Sequence, residues 1–256
     1  MVHHRDLHGA PVSSCRKAGD DERTVLKIRS HEDSLAHRPH EASADPPVAP
    51  AHAVAGWQLA RTTLGGVTVT YGEGVPGDDQ LHLIGDVSGG RRVIELGIAG
   101  NAVALARLGA KAIALDPDAD RIADLRADAA RAGVSVECHQ GDLADLGFAP
   151  SGTIDLVVST HTLGDDVDLG RTLRQVHRVL KPSGPFVISL DHPFAAVGTD
   201  ADGVVHRYGD DERTVGELLT ALARTNFRIE AFHELGVDGA HAVPTTLVVK
   251  VRKQGS

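Results

Sequence analysis

Cysteines, aromatic residues and long apolar runs are all scarce in this chain. Of its 256 residues two are cysteines, Cys15 and Cys138, and 3% are aromatic. Cysteines so far apart fit neither a disulfide framework nor a zinc-ligand spacing, so the sequence predicts a protein of the reducing cytoplasm without a metal centre. No apolar run approaches the roughly 20 residues that span a bilayer. Residues 1–10 lack the apolar stretch of a signal peptide, and we expect no membrane partner.

Basic residues are in the minority as well. The formal net charge is −9 at pH 7, so the sequence offers no broad basic surface for the phosphates of a nucleic acid. Hydrophobic residues make up 41% and charged residues 24%, as in ordinary globular domains. A chain of this size can bury one sizeable α/β core and carry an appendage. We therefore expect no nucleic-acid partner, and the sequence does not indicate an oligomeric state.

The appendage is predicted at the N-terminus, where residues 1–52 are rich in His, Pro, Ala, Ser and charge. This stretch has too few apolar side chains to offset the entropy lost on ordering, so we expect a disordered tail followed by one domain over residues 53–256. We interpret the histidines of the tail as solvated residues rather than metal ligands. The heptapeptide GDDERTV occurs at 19–25 and again at 209–215, without the flanking similarity of a structural repeat.

Deletion of residues 1–50 is expected to leave the melting temperature of the domain within about 2 °C of its full-length value, because a tail that docks no apolar surface adds little to stability. Thermal unfolding of the full-length and shortened chains, followed by circular dichroism, checks this. A large drop would mean that the tail packs on the domain.

Strands and helices are predicted to alternate through the middle of the chain. Short apolar runs followed by glycine or aspartate predict strands, and amphipathic stretches closed by glycine predict helices. The predicted strands are 92–96, 111–116, 134–138, 154–159 and 186–190, and the predicted helices are 102–108, 118–132 and 169–180. Strands separated by helices form right-handed crossovers in a parallel sheet, whose ligands bind at the carboxyl ends of the strands.

Both ends of the domain depart from this alternation. Residues 66–71 alternate like a short strand, and Asp78 is placed to cap a short helix. Near the C-terminus, Thr214 is placed to cap another helix. The last two predicted strands, 227–232 and 246–251, are joined by about a dozen residues, too few for a crossover helix. We therefore expect them to form an antiparallel pair at the end of the sheet.

A carboxylate and two glycines lie where the first strand of the sheet ends. Glu95 is followed by Gly97 and Gly100, and a glycine turn before a helix lets the main chain approach a ligand. The pattern lacks the third glycine of a dinucleotide-binding turn. A carboxylate at this position repels a pyrophosphate and attracts an ammonium group, so the turn favours a ligand with an amino-acid moiety.

The next two strands end in aspartates. Asp116 ends the second strand, where an acidic side chain can accept hydrogen bonds from both hydroxyls of a ribose. Asp118 is available to cap the following helix, which leaves Asp116 for a ligand. Asp142 and Leu143 follow the third strand, where a carboxylate can bind an adenine amino group beside an apolar contact; a solvated loop aspartate is the alternative.

Taken in order, these segments resemble class I S-adenosylmethionine-dependent methyltransferases. The resemblance covers about residues 90–252. It depends on the order of Glu-Leu-Gly, Leu-Asp-Pro, Gly-Asp-Leu, Ile-Asp-Leu-Val and Arg-Val-Leu-Lys-Pro-Ser-Gly, which begin at residues 95, 115, 141, 154 and 178. It implies a Rossmann-like, doubly wound α/β sheet that is mostly parallel and ends in a reversed strand. It also implies S-adenosyl-L-methionine as the cofactor.

The resemblance assigns each segment to a part of the cofactor. Glu95, Gly97 and Gly100 would lie at the methionine end, and Asp116 and Pro117 at the ribose. Asp142 and Leu143 would lie at the adenine, and Thr160, which follows the strand predicted at 154–159, is a further candidate cofactor-binding residue at the same edge. The chain departs from the family in this first turn, which usually reads E-x-G-x-G-x-G, so we expect a tighter turn or a remodelled methionine pocket.

Fewer features of the sequence indicate where the methyl acceptor binds. Displacement of a methyl group at carbon needs alignment of the nucleophile with the methyl group and sulfur, and a base helps when the acceptor is a hydroxyl or an ammonium. His161 and His192 follow predicted strands and are the candidate catalytic bases. Tyr71, Trp57 and Phe194 are the candidate acceptor-binding residues.

The sequence favours methyl transfer to a small-molecule acceptor. The alternative enzyme is an NAD-dependent oxidoreductase, because Asp116 suits the ribose of NAD equally well. Glu95 and the missing third glycine disfavour it. A second alternative is a non-catalytic protein of the same fold that binds a nucleoside ligand or serves as an interaction subunit, and the shortened glycine turn is the feature that favours it.

Overall fold

The computed structural model describes residues 67–164, 167–200, 202–237 and 242–255. The predicted tail, the predicted start of the domain at residue 53 and the candidate Trp57 lie outside these residues, so those expectations stay predictions. No helix in the described part of the chain is long and apolar enough to cross a membrane.

Nine strands and five helices are formed by the described residues. In chain order they are α1 (Asp78–Leu81), β1 (Arg92–Leu96), α2 (Asn101–Arg107), β2 (Lys111–Asp116), α3 (Ala119–Ala132), β3 (Val136–Gln140), β4 (Leu156–Thr160), α4 (Leu169–Val179), β5 (Pro185–Asp191), β6 (Gly198–Thr199), β7 (Val205–His206), α5 (Val215–Arg224), β8 (Phe227–Leu235) and β9 (Thr246–Lys253). β6 and β7 form a two-stranded sheet of their own, which the sequence did not predict.

The other seven strands form one sheet in the order β3-β2-β1-β4-β5-β9-β8. β1 to β5 are parallel, and β9 runs antiparallel between β5 and β8. The order reverses direction at β1 and β4, which is the switch point where doubly wound sheets bind ligands. The predicted doubly wound sheet with a reversed C-terminal strand is confirmed.

Alternating side chains of the strands pack into two apolar clusters. Ile94 and Leu96 belong to one cluster, and their neighbour Val93 belongs to the other. Because successive side chains of a strand point to opposite faces, the two clusters lie on opposite sides of the sheet. The centre of the sheet is therefore covered on both faces, and its ligand-accessible positions are at the strand ends.

Helices α3 and α5 have the caps that the sequence offers, whereas α1 begins at Asp78 itself with Gly77 as its N-cap, so the predicted Asp78 cap is wrong. Asp118 accepts hydrogen bonds from the main-chain N–H groups of Asp120 and Arg121, and Gly133 ends α3 in the left-handed region. At α5, Thr214 and Glu217 form a reciprocal capping box. These predicted helix starts are confirmed, and the cap on α3 is Asp118 rather than Asp116.

Two predicted strands begin two residues later than expected. At β3, the N–H of Val134 donates to the carbonyl of Ala129 and so remains part of the turn that ends α3. At β4, Ile154 forms an isolated bridge with Leu180. In both places a main-chain group that could pair with a neighbouring strand is hydrogen-bonded to a helix instead: Val134 to the end of α3, and Ile154 to the end of α4.

The strand predicted over residues 66–71 is wrong for 67–71, which are irregular. Side chains, rather than a neighbouring strand, bind this main chain. The N–H of Thr70 donates to Oδ1 of Asn101 over 2.9 Å, and Nδ2 of Asn101 donates to the carbonyl of Thr70 over 3.0 Å. An alternating pattern is compatible with an extended segment of either kind.

Tyr71 anchors this segment in the core. Its side chain is fully buried, and its hydroxyl donates to Oδ1 of Asp78 over 2.6 Å. Burial, together with the hydrogen bond to Asp78 and its charge, raises the pKa of Tyr71 far above its usual range. The same Asp78 oxygen accepts from the N–H groups of Leu83 and Ile84.

Tyr71→Phe is expected to lower the free energy of unfolding by about 1–2 kcal/mol, because it removes a buried charge-assisted hydrogen bond while the ring packing remains. Urea unfolding at neutral pH measures the change. Tyr208→Phe is the matched control: the Tyr208 hydroxyl accepts from the N–H of Val215 at an exposed position where water can replace it, so its loss should change stability by about 0.5 kcal/mol or less. An equal effect of both substitutions would contradict the assignment.

Candidate cofactor-binding site

The carboxyl ends of the central strands border a cavity of about 860 Å³. This volume is in the range of small-molecule sites. Six of the predicted site residues line it, namely Gly97, Asp116, Pro117, Asp142, Leu143 and His161. Its other lining residues are Arg121, Gln140, Gly141, Thr162, Gly164, Val167 and Asp168. The fold therefore brings the ends of β1, β2, β3 and β4 to one concave site at the predicted edge.

Asp116 presents a buried carboxylate to this cavity. Its Oδ2 accepts from the N–H of Ile98 over 2.7 Å, and its Oδ1 accepts from the N–H of Asp118 over 2.8 Å. Nη1 of Arg121 lies 3.6 Å from Oδ2. An ionised carboxylate has about four acceptor sites, so one N–H on each oxygen leaves room for two further donors. This arrangement suits a pair of hydroxyl groups.

Asp142 and Leu143 lie at the far side of the cavity from the first strand. Oδ1 of Asp142 accepts from the N–H of Ala144 over 2.8 Å, and Oδ2 pairs with Nη1 of Arg171 over 3.2 Å. Leu143 is buried and belongs to an apolar cluster. A charged group on a short turn beside an apolar side chain can bind the edge and the face of a flat ring.

Glu95 is placed differently from the simplest expectation. Its carboxylate is fully buried, is not among the cavity-lining residues, and accepts from three main-chain N–H groups. Oε1 accepts from Ala99 and Asn101, and Oε2 accepts from Ala102. Burial raises the pKa of Glu95, and the three hydrogen bonds act in the opposite direction. Glu95 fixes the turn and caps α2, while its contact with a ligand ammonium stays a prediction.

Gly97 and Gly100 both have positive φ, but they have different structural roles. Gly100 is the N-cap of α2, with φ 92°, and does not line the cavity. Gly97 has φ 77°, and a Cβ built on it would lie 2.3 Å from Cβ of Thr162. Thr162 in turn donates to the carbonyl of Leu96 over 2.6 Å. The glycine is required there because two loops touch at the cavity wall.

His161 is the candidate base that reaches the cavity. Its Nδ1 lies 2.9 Å from Oδ1 of Asp191, and its Nε2 lies 2.9 Å from the carbonyl oxygen of Tyr71 and 3.2 Å from Oγ of Ser189. The side chain is 8% exposed, and the residue has φ 51°. The left-handed turn directly after β4 directs the ring to this position.

His192 is held away from the cavity-lining residues. It is fully buried, its Nδ1 accepts from the N–H of Phe194 over 3.2 Å, and its Nε2 donates to Oε1 of Glu234 over 3.0 Å. Phe194 is 47% exposed and stacks on His192 and against Tyr208. A catalytic role for His192 and an acceptor-binding role for Phe194 stay predictions without a cavity contact to support them.

Thr160 and Tyr71 also lie outside the cavity lining. Oγ1 of Thr160 accepts from Nδ2 of Asn101 over 3.2 Å and lies 3.4 Å from the carbonyl of Thr70. The Tyr71 side chain packs in the core, and its carbonyl is the group that contacts His161. Thr160 thus binds the segment before α1 rather than the cavity, and cofactor or acceptor contacts of both residues stay predictions.

Comparison with known proteins agrees with this geometry. Residues 95–188 match the family model of a methyltransferase domain. The ubiquinone biosynthesis O-methyltransferases of Azorhizobium caulinodans and Bradyrhizobium diazoefficiens are 29% and 31% identical over 102 and 105 residues, 39% and 40% of this chain. The chain spans 40% of the length of each of these relatives. The S-adenosylmethionine-dependent methyltransferase of Mesorhizobium loti has a TM-score of 0.57 and 26% identity, over 68% of this chain and 95% of that one.

The described sheet has the class I S-adenosylmethionine-dependent methyltransferase fold, and residues 95–188 are the part of it that matches the family model. Two observations agree with S-adenosylmethionine as the cofactor of this methyltransferase cavity. Asp116 offers acceptor capacity for a ribose diol from a buried position, and Gly97 keeps the wall beside Thr162 free of a Cβ that the loops could not accommodate. The shortened glycine turn therefore still forms a continuous wall, closed by Thr162 from the turn after β4.

Sequence reasoning missed several residues of the methyltransferase cavity. Thr162 and Asp168 come from the irregular stretch between β4 and α4, and Arg121 comes from the first turn of α3. Asp168 caps α4 by accepting from the N–H of Arg171 over 2.9 Å. A helix-cap signal at Asp168 was present in the sequence. The contact of Thr162 with Gly97 had no local signal, because the two residues meet only through the pairing of β1 with β4.

Proposed function

We propose that this chain transfers the methyl group of S-adenosyl-L-methionine to a small-molecule acceptor. The observation that carries the proposal is the convergence of Gly97, Asp116 and Asp142, from the ends of three neighbouring strands, on one cavity. The bound cofactor would supply an electrophilic methyl group on a sulfonium. The chain then has to bind it, orient it and manage the proton of the acceptor.

The residues of the cavity divide these tasks between them. Asp116 would accept the ribose hydroxyls, and Asp142 with Leu143 would hold the adenine. Gly97 would let the main chain approach the methionine end. His161 is the imidazole on the cavity wall, so it is the group proposed to take the proton of an acceptor hydroxyl.

Two observations favour a small acceptor with a hydroxyl group. The two relatives matched by sequence are O-methyltransferases of ubiquinone biosynthesis, and the net charge of −9 disfavours a nucleic acid. O-methylation releases a proton at the acceptor oxygen, and a cavity with an imidazole on its wall provides a place for it.

Transfer of labelled methyl groups tests the proposal. The full chain is incubated with S-adenosylmethionine labelled in the methyl group and a small-molecule extract, in parallel with mixed protein and with RNA. Label is expected in the small-molecule fraction, most of it in products that are stable to mild base, as methyl ethers are. Label in protein or RNA would contradict the small-molecule acceptor, and no transfer to any fraction would contradict catalysis.

A further inference from the structure

A short stretch before α1 crosses the carboxyl edge of the sheet, where side chains bind the main chain of Thr70 and Tyr71, and the N–H of Asp78 donates to the carbonyl of Val69 over 2.8 Å. We call this stretch, residues 68–72, the strap. Asn101 from α2 exchanges two hydrogen bonds with Thr70, and Thr160 from β4 lies 3.4 Å from the Thr70 carbonyl. No residue of the strap belongs to a strand. Main-chain groups outside the hydrogen-bond ladder of a sheet can open locally without unfolding of the sheet.

The carbonyl of Tyr71 is the point where the strap meets the proposed base. It accepts from the hydroxyl of Ser189, and Nε2 of His161 lies 2.9 Å from it. Gly72 follows directly, and a Cβ there would lie 2.8 Å from Nε2 of His161. The imidazole is therefore packed against the strap as well as hydrogen-bonded to it.

The contacts of His161 are incompatible with two simultaneous roles, as a hydrogen-bond donor to the strap and as a base for the acceptor. Asp191 is a carboxylate 2.9 Å from Nδ1, so this nitrogen carries a hydrogen and donates it. A carbonyl oxygen can only accept, so Nε2 holds Tyr71 only while it too carries a hydrogen. A base, by contrast, needs an Nε2 that is free of hydrogen and directed at the acceptor. The ring cannot hold the strap and take a proton at the same time.

We propose that Asp191 and Ser189 are positioning residues for His161, and that Nε2 accepts the proton of the acceptor only when the Tyr71 carbonyl has moved away from it. This inference depends on the proposed methyl transfer for its chemistry, but not for its geometry. Asp191 fixes which ring nitrogen of His161 faces the strap. Ser189 continues to donate a hydrogen bond to the Tyr71 carbonyl when His161 no longer contacts it.

The proton and the electrons balance in the proposed step. The O–H bond of the acceptor would break with its electron pair left on the oxygen, and the oxygen would form the new bond to the methyl group. The methyl–sulfur bond would break at the same time, with its electron pair left on the sulfur, so that S-adenosylhomocysteine leaves. The proton moves to Nε2 of His161, and the resulting imidazolium donates from Nδ1 to Asp191 and from Nε2 to the returning Tyr71 carbonyl. It then loses the proton to water. Closure of the strap would therefore follow proton transfer.

Amide hydrogen exchange of the peptide that contains the strap tests the positioning roles without an acceptor. Ser189→Ala and His161→Ala each remove a bond to Tyr71, and about fivefold faster exchange is expected for each. Asp191→Ala is expected to raise exchange about threefold, although Asp191 reaches the strap only through the ring. Asp191→Glu should restore slow exchange. The charge-matched control is Asp124→Ala on the exposed face of α3, which should leave the strap unchanged.

His161→Gln separates the two roles of the ring. Its amide can donate to the Tyr71 carbonyl but takes no proton at neutral pH. Strap exchange is expected to stay within twofold of the natural chain, while methyl transfer falls at least tenfold. Full activity of His161→Gln would overturn the proton step. Strap exchange within twofold of the natural chain in both Ser189→Ala and Asp191→Ala would overturn the positioning roles. S-adenosylhomocysteine binding is measured in the same variants, and unchanged binding there would mean that this failure concerns His161 and leaves the proposed cofactor site intact.

Discussion

Asp116→Ala is expected to lower the affinity for S-adenosylhomocysteine by about 10- to 100-fold, because two charge-assisted hydrogen bonds to the ribose are lost. The carboxylate is 1% exposed and faces the cavity with acceptor capacity on both oxygens. Isothermal titration calorimetry with S-adenosylhomocysteine measures the change. The melting temperature should fall only modestly, since the N–H groups of Ile98 and Asp118 are near the surface of the cavity and can bind water.

Asp118→Ala is the matched control for this experiment. Asp118 lies two residues away and caps α3 through Asp120 and Arg121. Its removal should lower stability by about 1 kcal/mol and leave the affinity within about threefold of the natural value. If Asp116→Ala kept full affinity, Asp116 would be a structural residue of the β2 end and the ribose assignment would be wrong.

His161→Ala is expected to lower turnover at least tenfold while S-adenosylhomocysteine affinity stays within a few-fold. That pattern is typical of a group that acts mainly in the transition state. Steady-state kinetics with an acceptor found in the labelling experiment, together with calorimetry on the same variant, gives both quantities. His177→Ala is the control and should retain turnover, because His177 is a half-buried residue of α4 that contacts Gln254 and Phe227 and does not line the cavity.

A parallel loss of affinity in His161→Ala would make His161 a cofactor-pocket residue, since it does line the cavity. Full turnover would show that the acceptor needs no base. His192 would not be the obvious substitute, because it is fully buried and does not line the cavity.

The fold was predictable because local and global signals agree along most of the domain. β1 and β2 have the predicted bounds, since each is a buried apolar run between a charged residue and a glycine or an aspartate. The irregular segment at 67–71 was not predictable in this way. Its main chain is bound by Asn101, Thr160 and Ser189, which are distant in sequence and carry no pairing signal.

The site was predictable where its chemistry lies at the end of a strand. Asp116 and Asp142 follow β2 and β3 directly, so the direction of the sheet placed them at one edge. The burial of Glu95 could not be read in the same way, because it depends on how the turn from Ala99 to Ala102 folds over its carboxylate. His161 and His192 looked alike in sequence, and only the turn after each strand separates them.

Calorimetry with S-adenosylhomocysteine and NAD, side by side on the full chain, tests the central claim most directly. The cavity that joins Asp116, Asp142 and Gly97 predicts micromolar binding of S-adenosylhomocysteine, with a Kd of about 1–100 μM, and no measurable binding of NAD at the same concentrations. Binding of NAD without binding of S-adenosylhomocysteine would contradict the methyltransferase assignment of the cavity.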